Sequence, residues 1–212
     1  MAQIRELRER TGAGILDCKN ALVESDGDIE KAVDWLRTKG IAKAAKKAGR
    51  TATEGLIGSY IHAGGKIGVL LEINCETDFA ARGEAFQALV KDISMHIAAS
   101  APEYVAREEV SAEAIAHERA VQKARVIEEG KPEKFADGIV EGRMRKYYED
   151  VCLLEQKFVR DDSKTVKDVL TDAIALIGEN IQIRRFTRYV LGEGLAKKED
   201  DFAAEVAAAA GQ

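Results

Sequence analysis

The amino-acid sequence predicts an α+β protein: a bundle of three helices, then a core with a small antiparallel sheet packed against helices. Three observations support this fold class. Apolar residues recur at spacings of three and four within residues 1–40, as in amphipathic helices. Over 67–74 they alternate along the chain beside a Gly-Gly pair, as in a hairpin strand. Residues 181–191, rich in β-branched and aromatic side chains, provide a returning strand.

The first 40 residues are predicted to form three short helices around a small core. A break at 11–14 ends the first helix, and the second runs over about 15–25. The third follows a turn that offers N-cap residues and ends at Gly40, since glycine often terminates helices. The apolar face of the second helix consists of Ile15, Cys18, Ala21 and Leu22.

Residues 41–53 are interpreted as a basic linker. Residues 41–50 read IAKAAKKAGR, with four positive charges and no acidic residue. This segment can extend a helix or connect two domains. Its composition favours a solvated connector over a contact with an anion or RNA.

The core domain is predicted to span 54–195. It starts with the strands LIGSYIHA and KIGVLLEINCE on either side of Gly64 and Gly65. Residues 151–159 are ambiguous between a strand and an extended loop, and 181–191 complete the sheet. Helices are predicted over 83–99, 111–129, 132–150 and 165–177, and over 198–210 in a C-terminal tail, 196–212.

Composition and charge exclude several classes of protein. The net charge of −5 argues against a general nucleic-acid binder, whose affinity needs a basic surface. The three cysteines lie far apart in sequence, so neither a disulfide framework nor a zinc site is expected. The N-terminus lacks an apolar signal region, and no run of about 18 apolar residues occurs. We therefore expect a cytoplasmic protein without direct nucleic-acid or membrane contact.

No constellation of catalytic residues is apparent. The sequence lacks a phosphate loop and a dinucleotide-binding fingerprint, and His62, His96 and His117 are scattered. Asp161 and Asp162 fit an exposed turn better than a metal site. Nucleophilic side chains lack a visible base partner. We therefore expect no enzyme, metal or cofactor.

One segment, Glu76-Thr77-Asp78-Phe79, follows a buried strand and precedes an amphipathic helix. Phe79 can pack under that helix as a core residue, or it can project as an apolar anchor for a partner. Spacing alone favours the core, because most phenylalanines are buried.

Two long stretches resemble signatures of the elongation factor Ts family. LRERTGAGILDCKNAL, residues 7–22, resembles the N-terminal signature, and EINCETDFAAR, residues 72–82, resembles the second. VEGRMRKYYEDVCLLEQKFV and GENIQIRR are also similar to that family. The resemblance covers nearly the whole chain, and the two signatures occur in the expected order.

The resemblance implies a fold and a function. The fold is a ubiquitin-associated-like module followed by an α+β core, in a short member that lacks part of a two-lobed core and a protruding coiled coil. The implied function is guanine nucleotide exchange on elongation factor Tu, in its GDP-bound and nucleotide-free forms. There a Thr-Asp-Phe-Val segment displaces the bound magnesium ion. That segment matches Thr77, Asp78, Phe79 and Ala80, and this match favours Phe79 as a partner anchor.

Further contacts are implied by the same resemblance. Arg8, Ile15 and Leu16 match positions of the N-terminal module that bind the GTPase domain, although methionines are common at the last two. The alternative for Ile15 and Leu16 is the core of the bundle. Ile177 and Gly178 match a further contact loop. Alanine at position 80, where valine is usual, is expected to trim affinity without abolishing it.

Other interpretations stay open at this stage. Short family members can need a second copy to present enough interface, and the C-terminal strand is a candidate contact for a homodimer. A non-catalytic binding module or scaffold would act through residues 1–40 alone. An enzyme would need a clustered polar site, which the sequence does not show.

Overall fold

The computed structural model describes residues 1–195 and confirms the α+β fold class. The predicted tail over 196–212 lies outside the described residues. The N-terminal helices are α1 (Ala2–Thr11), α2 (Ile15–Glu24) and α3 (Ile29–Lys47). The remaining helices are α4 (Asp78–Arg82), α5 (Glu84–Ser100), α6 (Ala112–Glu128), α7 (Glu133–Val151) and α8 (Val166–Ile177). The strands are β1 (Glu54–Ile61), β2 (Ile67–Cys75), β3 (Lys157–Phe158), β4 (Asp161–Thr165) and β5 (Gln182–Val190).

The three N-terminal helices enclose a small core, as predicted. Asp28 caps α3 by accepting a hydrogen bond from the Lys31 backbone N–H at 3.1 Å. Gly12 ends α1 with a positive φ of 68°. The buried residues of this core are Leu7, Cys18, Ala21, Leu22 and Ala32.

Helix α3 does not end at Gly40, and residues 41–47 are helical rather than part of a linker. Gly40 is buried where α3 crosses α8, and a β-carbon there would lie 3.6 Å from Ala175 Cβ. Glycine weakens a helix by only about 1 kcal/mol, and the alanines and lysines that follow favour helix strongly. Lys43 is an ion-pair partner of Asp17 at 2.9 Å, so this segment is not a free solvated connector.

The main sheet has the order β1-β2-β5 and is antiparallel throughout. The inner face of β2 packs on the predicted apolar stripe of α5 in one buried cluster. Gly58 on β1 lies under α5 so closely that a β-carbon would lie 2.3 Å from Val90 Cγ1. Buried side chains from β2 are Val69, Leu71, Ile73 and Cys75, and those from α5 include Phe86, Leu89, Val90, Ile93 and Ile97.

Helices α6 and α7 pack against each other as a hairpin with its own apolar cluster. The four buried members of that cluster are Val126, Ala136, Val140 and Met144, all from these two helices. The resemblance implies a short member without the protruding coiled coil of longer ones, and the structure shows that this chain has a two-helix hairpin of its own. Local periodicity predicts each helix, but it does not show that the two helices pair.

The ambiguous segment 151–159 contains the end of α7, a short 3-10 turn and strand β3. Strand β3 pairs antiparallel with β4, which the sequence analysis missed. Asp161 and Asp162 thus belong to an exposed strand rather than to a turn. Phe158 anchors this small hairpin in the main core.

His96 is fully buried in α5, and its hydrogen bonds define a neutral ring. Its Nδ1 accepts a hydrogen bond from the Val159 backbone N–H at 3.2 Å, so the proton lies on Nε2. That Nε2 lies 2.9 Å from Gln156 Oε1. Burial lowers the pKa of His96 below its ordinary value, because the charged ring would lose its hydration.

We expect the free energy of unfolding to decrease as the pH falls below about 6.5, where an unfolded histidine gains a proton. The folded state binds that proton only at lower pH, since the pKa of His96 is lowered. The contribution of His96 to the free energy of unfolding is therefore fully present above the pKa of the unfolded histidine. It is lost as the pH falls from that value through the lower pKa of the folded state. Urea titrations across this pH range should show the stability difference between the wild type and His96→Gln narrowing on acidification. Parallel profiles would contradict this assignment.

Candidate partner-binding site

The segment around Phe79 folds as the short helix α4 and presents this side chain to solvent. Phe79 is 85% exposed, whereas Ala80 and Ala81 are buried in the main core. The interpretation of Phe79 as a core residue, which spacing alone favoured, is therefore wrong. Ala80 packs in the core beneath α4, so its side chain helps to hold the helix in place.

Local hydrogen bonds hold α4 in place. The Thr77 hydroxyl oxygen accepts a hydrogen bond from the Ala80 backbone N–H at 3.2 Å, which makes Thr77 the N-cap. Arg82 and Asp78 form an exposed ion pair at 2.8 Å, one turn apart. The main-chain position of Phe79 is thus fixed while its ring is free to contact another molecule.

The structure brings Phe79 and Ile177 to one surface. Both line a groove of about 610 Å³ together with Arg82 and Glu179. Gly178 ends α8 with a positive φ of 87°, a conformation that glycine adopts without strain. The two contact segments implied by the family resemblance, one around Phe79 and one at Ile177, are therefore neighbours in space.

Sequence analysis missed Glu179 as part of this site. Its carboxylate accepts hydrogen bonds from the backbone N–H groups of Glu76 and Thr77, at 3.1 and 3.0 Å. It also accepts a hydrogen bond from the Thr77 hydroxyl at 2.6 Å. The only available signal was the stretch GENIQIRR, which was used for its resemblance to a family and not for a contact.

The second predicted surface lies on the N-terminal bundle. Ile15 is 61% exposed, Leu16 is 70% exposed, and Arg8 is exposed as well. Ile15 is the first residue of α2 and lies outside the core, so it does not share the buried face of Cys18, Ala21 and Leu22, and the alternative that it is a core residue is wrong. Val23, also exposed, follows Leu16 by seven residues and extends the apolar surface along α2. That spacing was visible in the sequence and was not used.

Other features of the described chain bear on the chemistry. Cys18, Cys75 and Cys152 are free and buried in three different apolar clusters. Within residues 1–195, no group of three or more His, Cys, Asp or Glu side chains is placed to hold a metal ion. Every helix in the same range is too short or too polar to cross a membrane.

Comparison with known proteins identifies the family. The family described as elongation factor TS matches residues 41–193. Elongation factor Ts of Geobacter metallireducens is 65% identical over 210 residues, which cover 99% of this chain and 97% of that protein. That of Carboxydothermus hydrogenoformans is 61% identical over 206 residues, covering 97% of this chain and 95% of that protein. The chain therefore belongs to the elongation factor Ts family.

Proposed function

We propose that this protein is a guanine nucleotide exchange factor for elongation factor Tu, which promotes GDP release by displacing the bound magnesium ion during translation elongation. The observation that carries this proposal is Phe79, a large aromatic side chain that is 85% exposed on a capped helix. Buried aromatic anchors dominate the energetics of protein interfaces. Membership of the elongation factor Ts family supports the choice of partner.

The proposed mechanism needs no covalent chemistry. A GTPase holds GDP through magnesium and through backbone donors around the phosphates. Displacing the ion leaves the phosphate charge less well compensated. A protein that binds the nucleotide-free form more tightly than the GDP form must weaken GDP binding by the same factor. The protein is accordingly not an enzyme with its own active site and uses no cofactor.

Each surface has a distinct role in this proposal. Phe79 is the apolar wedge, with Thr77 and Asp78 at the start of its helix. Ile177 and Gly178 contact the partner beside it. The N-terminal bundle binds the GTPase domain through Arg8, Ile15 and Leu16. The site of action is the cytoplasm, where buried thiols such as those of this chain stay reduced.

The test follows a fluorescent GDP on elongation factor Tu after a chase with unlabelled GDP. Substoichiometric protein is expected to accelerate the release markedly. If magnesium displacement is the step, the acceleration should shrink when excess chelator has already removed the ion. An unchanged acceleration in chelator would contradict that step. Binding of the folded protein without acceleration would favour a non-catalytic binding module.

We also propose a homodimer through the outer face of the main sheet. Ile57, Ile61, Leu70 and Tyr189 are exposed on this face, and none of the described elements packs over it. Glu72, in the same face, is paired with Arg184 and Arg185 at 2.8 and 2.6 Å. An exposed apolar sheet surface suits packing against a second copy.

Leu70→Glu is expected to convert the dimer to a monomer, because it places a charge at the centre of the apolar face. Light scattering coupled to gel filtration would report the mass, with circular dichroism to confirm that the variant is folded. Ile127→Glu, an exposed position on the α6–α7 hairpin, is the matched control. A monomeric wild type, or a dimer broken only by the control, would contradict the proposal.

A further inference from the structure

Two carboxylates join the turn before α4 to the turn after α8, because each accepts hydrogen bonds from backbone N–H groups of the other turn. Glu179 accepts the backbone N–H groups of Glu76 and Thr77, at 3.1 and 3.0 Å. Glu76 in turn accepts the Asn180 backbone N–H at 2.6 Å. Glu76 and Glu179 are 103 residues apart in sequence, so this reciprocal pairing is a tertiary contact. We refer to Glu76, Thr77, Glu179 and Asn180 as the brace.

One chain of hydrogen bonds runs from the brace into the helix that carries Phe79. The Thr77 hydroxyl donates to Glu179 at 2.6 Å and accepts from the Ala80 backbone N–H at 3.2 Å. Glu179 therefore fixes the orientation of the side chain that caps α4. With five residues, α4 is too short to be stable by itself, so its geometry depends on such contacts.

The brace is also tied to the end of α3. Asn180 is only 1% exposed, and its side-chain amide donates to the Arg50 carbonyl oxygen at 2.6 Å. The Arg50 guanidinium lies 3.5 Å from the Glu76 carboxylate. Lys47, the last residue of α3, donates to the Gly178 carbonyl oxygen. The same small region thus connects the N-terminal bundle with the Phe79 segment.

We propose that Glu179 is a positioning residue for nucleotide exchange, which acts by holding α4 so that Phe79 meets the partner in one conformation. The inference rests on the proposed exchange function. Without the carboxylate, two backbone N–H groups and the capping hydroxyl lose their acceptor, and α4 samples other orientations. Binding must then order this segment, which weakens the complex.

The test is a double-mutant cycle between Glu179 and Phe79, read as kcat/KM for GDP release from elongation factor Tu. Glu179→Ala should lower kcat/KM roughly tenfold, because hydrogen bonds to a charged acceptor are lost and water replaces them only in part. Glu179→Gln keeps an acceptor oxygen and should restore part of the loss. In the Phe79→Ala background, Glu179→Ala should cost little more, because its effect passes through Phe79.

Glu141→Gln is the matched control, since it removes a carboxylate charge from the exposed ion pair with Arg119 on the α6–α7 hairpin. It should leave exchange unchanged. Hydrogen exchange measured by mass spectrometry gives a second readout that does not depend on the partner. Glu179→Ala should deprotect residues 77–82 while the amides of α5 stay protected.

Three results would overturn the positioning role while leaving the exchange function intact. The first is full additivity of the Glu179 and Phe79 substitutions, and the second is unchanged protection of residues 77–82. The third is loss of protection throughout α5, which would show a general folding role. A wild type that does not accelerate GDP release would refute the exchange function and the positioning role with it. Even then, faster hydrogen exchange of residues 77–82 in Glu179→Ala would show that the brace forms, so the failure of the exchange function and the failure of the brace are distinguishable.

Discussion

Replacing Phe79 by alanine is expected to lower kcat/KM for GDP release by roughly 30-fold or more, the effect of losing a central anchor of an interface. The free energy of unfolding should hardly change, because the ring is 85% exposed and removes little surface from water on folding. Stopped-flow fluorescence with labelled GDP measures the first quantity, and urea denaturation measures the second.

Phe135→Ala provides the control for this experiment. Phe135 is also an exposed phenylalanine on a helix, but it lies on the α6–α7 hairpin, outside the proposed contact surfaces. Its loss should leave exchange unchanged. Equal rates for Phe79→Ala and the wild type would remove Phe79 from the mechanism, and a large loss of stability in Phe79→Ala would contradict its exposed placement.

Phe86→Ala should have the opposite profile, with the free energy of unfolding lowered by about 3–5 kcal/mol. Phe86 is fully buried between α5 and the main sheet, so its truncation leaves a cavity in the largest apolar cluster. Urea denaturation followed by circular dichroism would show the midpoint moving to lower urea with a similar slope.

Phe79→Ala is the matched comparison, since the two side chains are chemically identical and lie only seven residues apart. If Phe86→Ala lowered the free energy of unfolding by less than about 1 kcal/mol, the cluster would have to close around the cavity. Such a result would contradict the tight packing of Phe86, because cores usually relax only in part. Together the two variants separate the role of the contact surface from that of the core.

The difference between these two phenylalanines marks the limit of sequence-based prediction here. The stripe of α5 was predicted because its spacing is regular, and Phe86 lies on it. Phe79 lies on a separate helix and does not continue that stripe in the structure, because Gly83 has extended backbone angles and separates α4 from α5. Without the family resemblance, the exposure of Phe79 was not predictable from spacing.

Tertiary contacts account for the other differences. Gly40, the predicted end of α3, lies instead at the crossing of α3 with α8, and the α6–α7 hairpin depends on how two separately predictable helices pair. The role of Glu179 requires a partner 103 residues away in sequence. The strands and helix stripes, by contrast, follow from local periodicity, which is why they were predicted.

The continuity of α3 constrains how the length of this chain can vary. A helix turns about 100° and rises about 1.5 Å per residue, so one residue inserted between positions 41 and 47 would swing the N-terminal bundle around the helix axis. Only insertions or deletions close to whole turns would return Leu16 to its original direction, and even these would shift it along the axis. Tolerance to insertion is therefore expected at 51–53, between Arg50 and β1, and at the tip of the α6–α7 hairpin, but not within the helix itself.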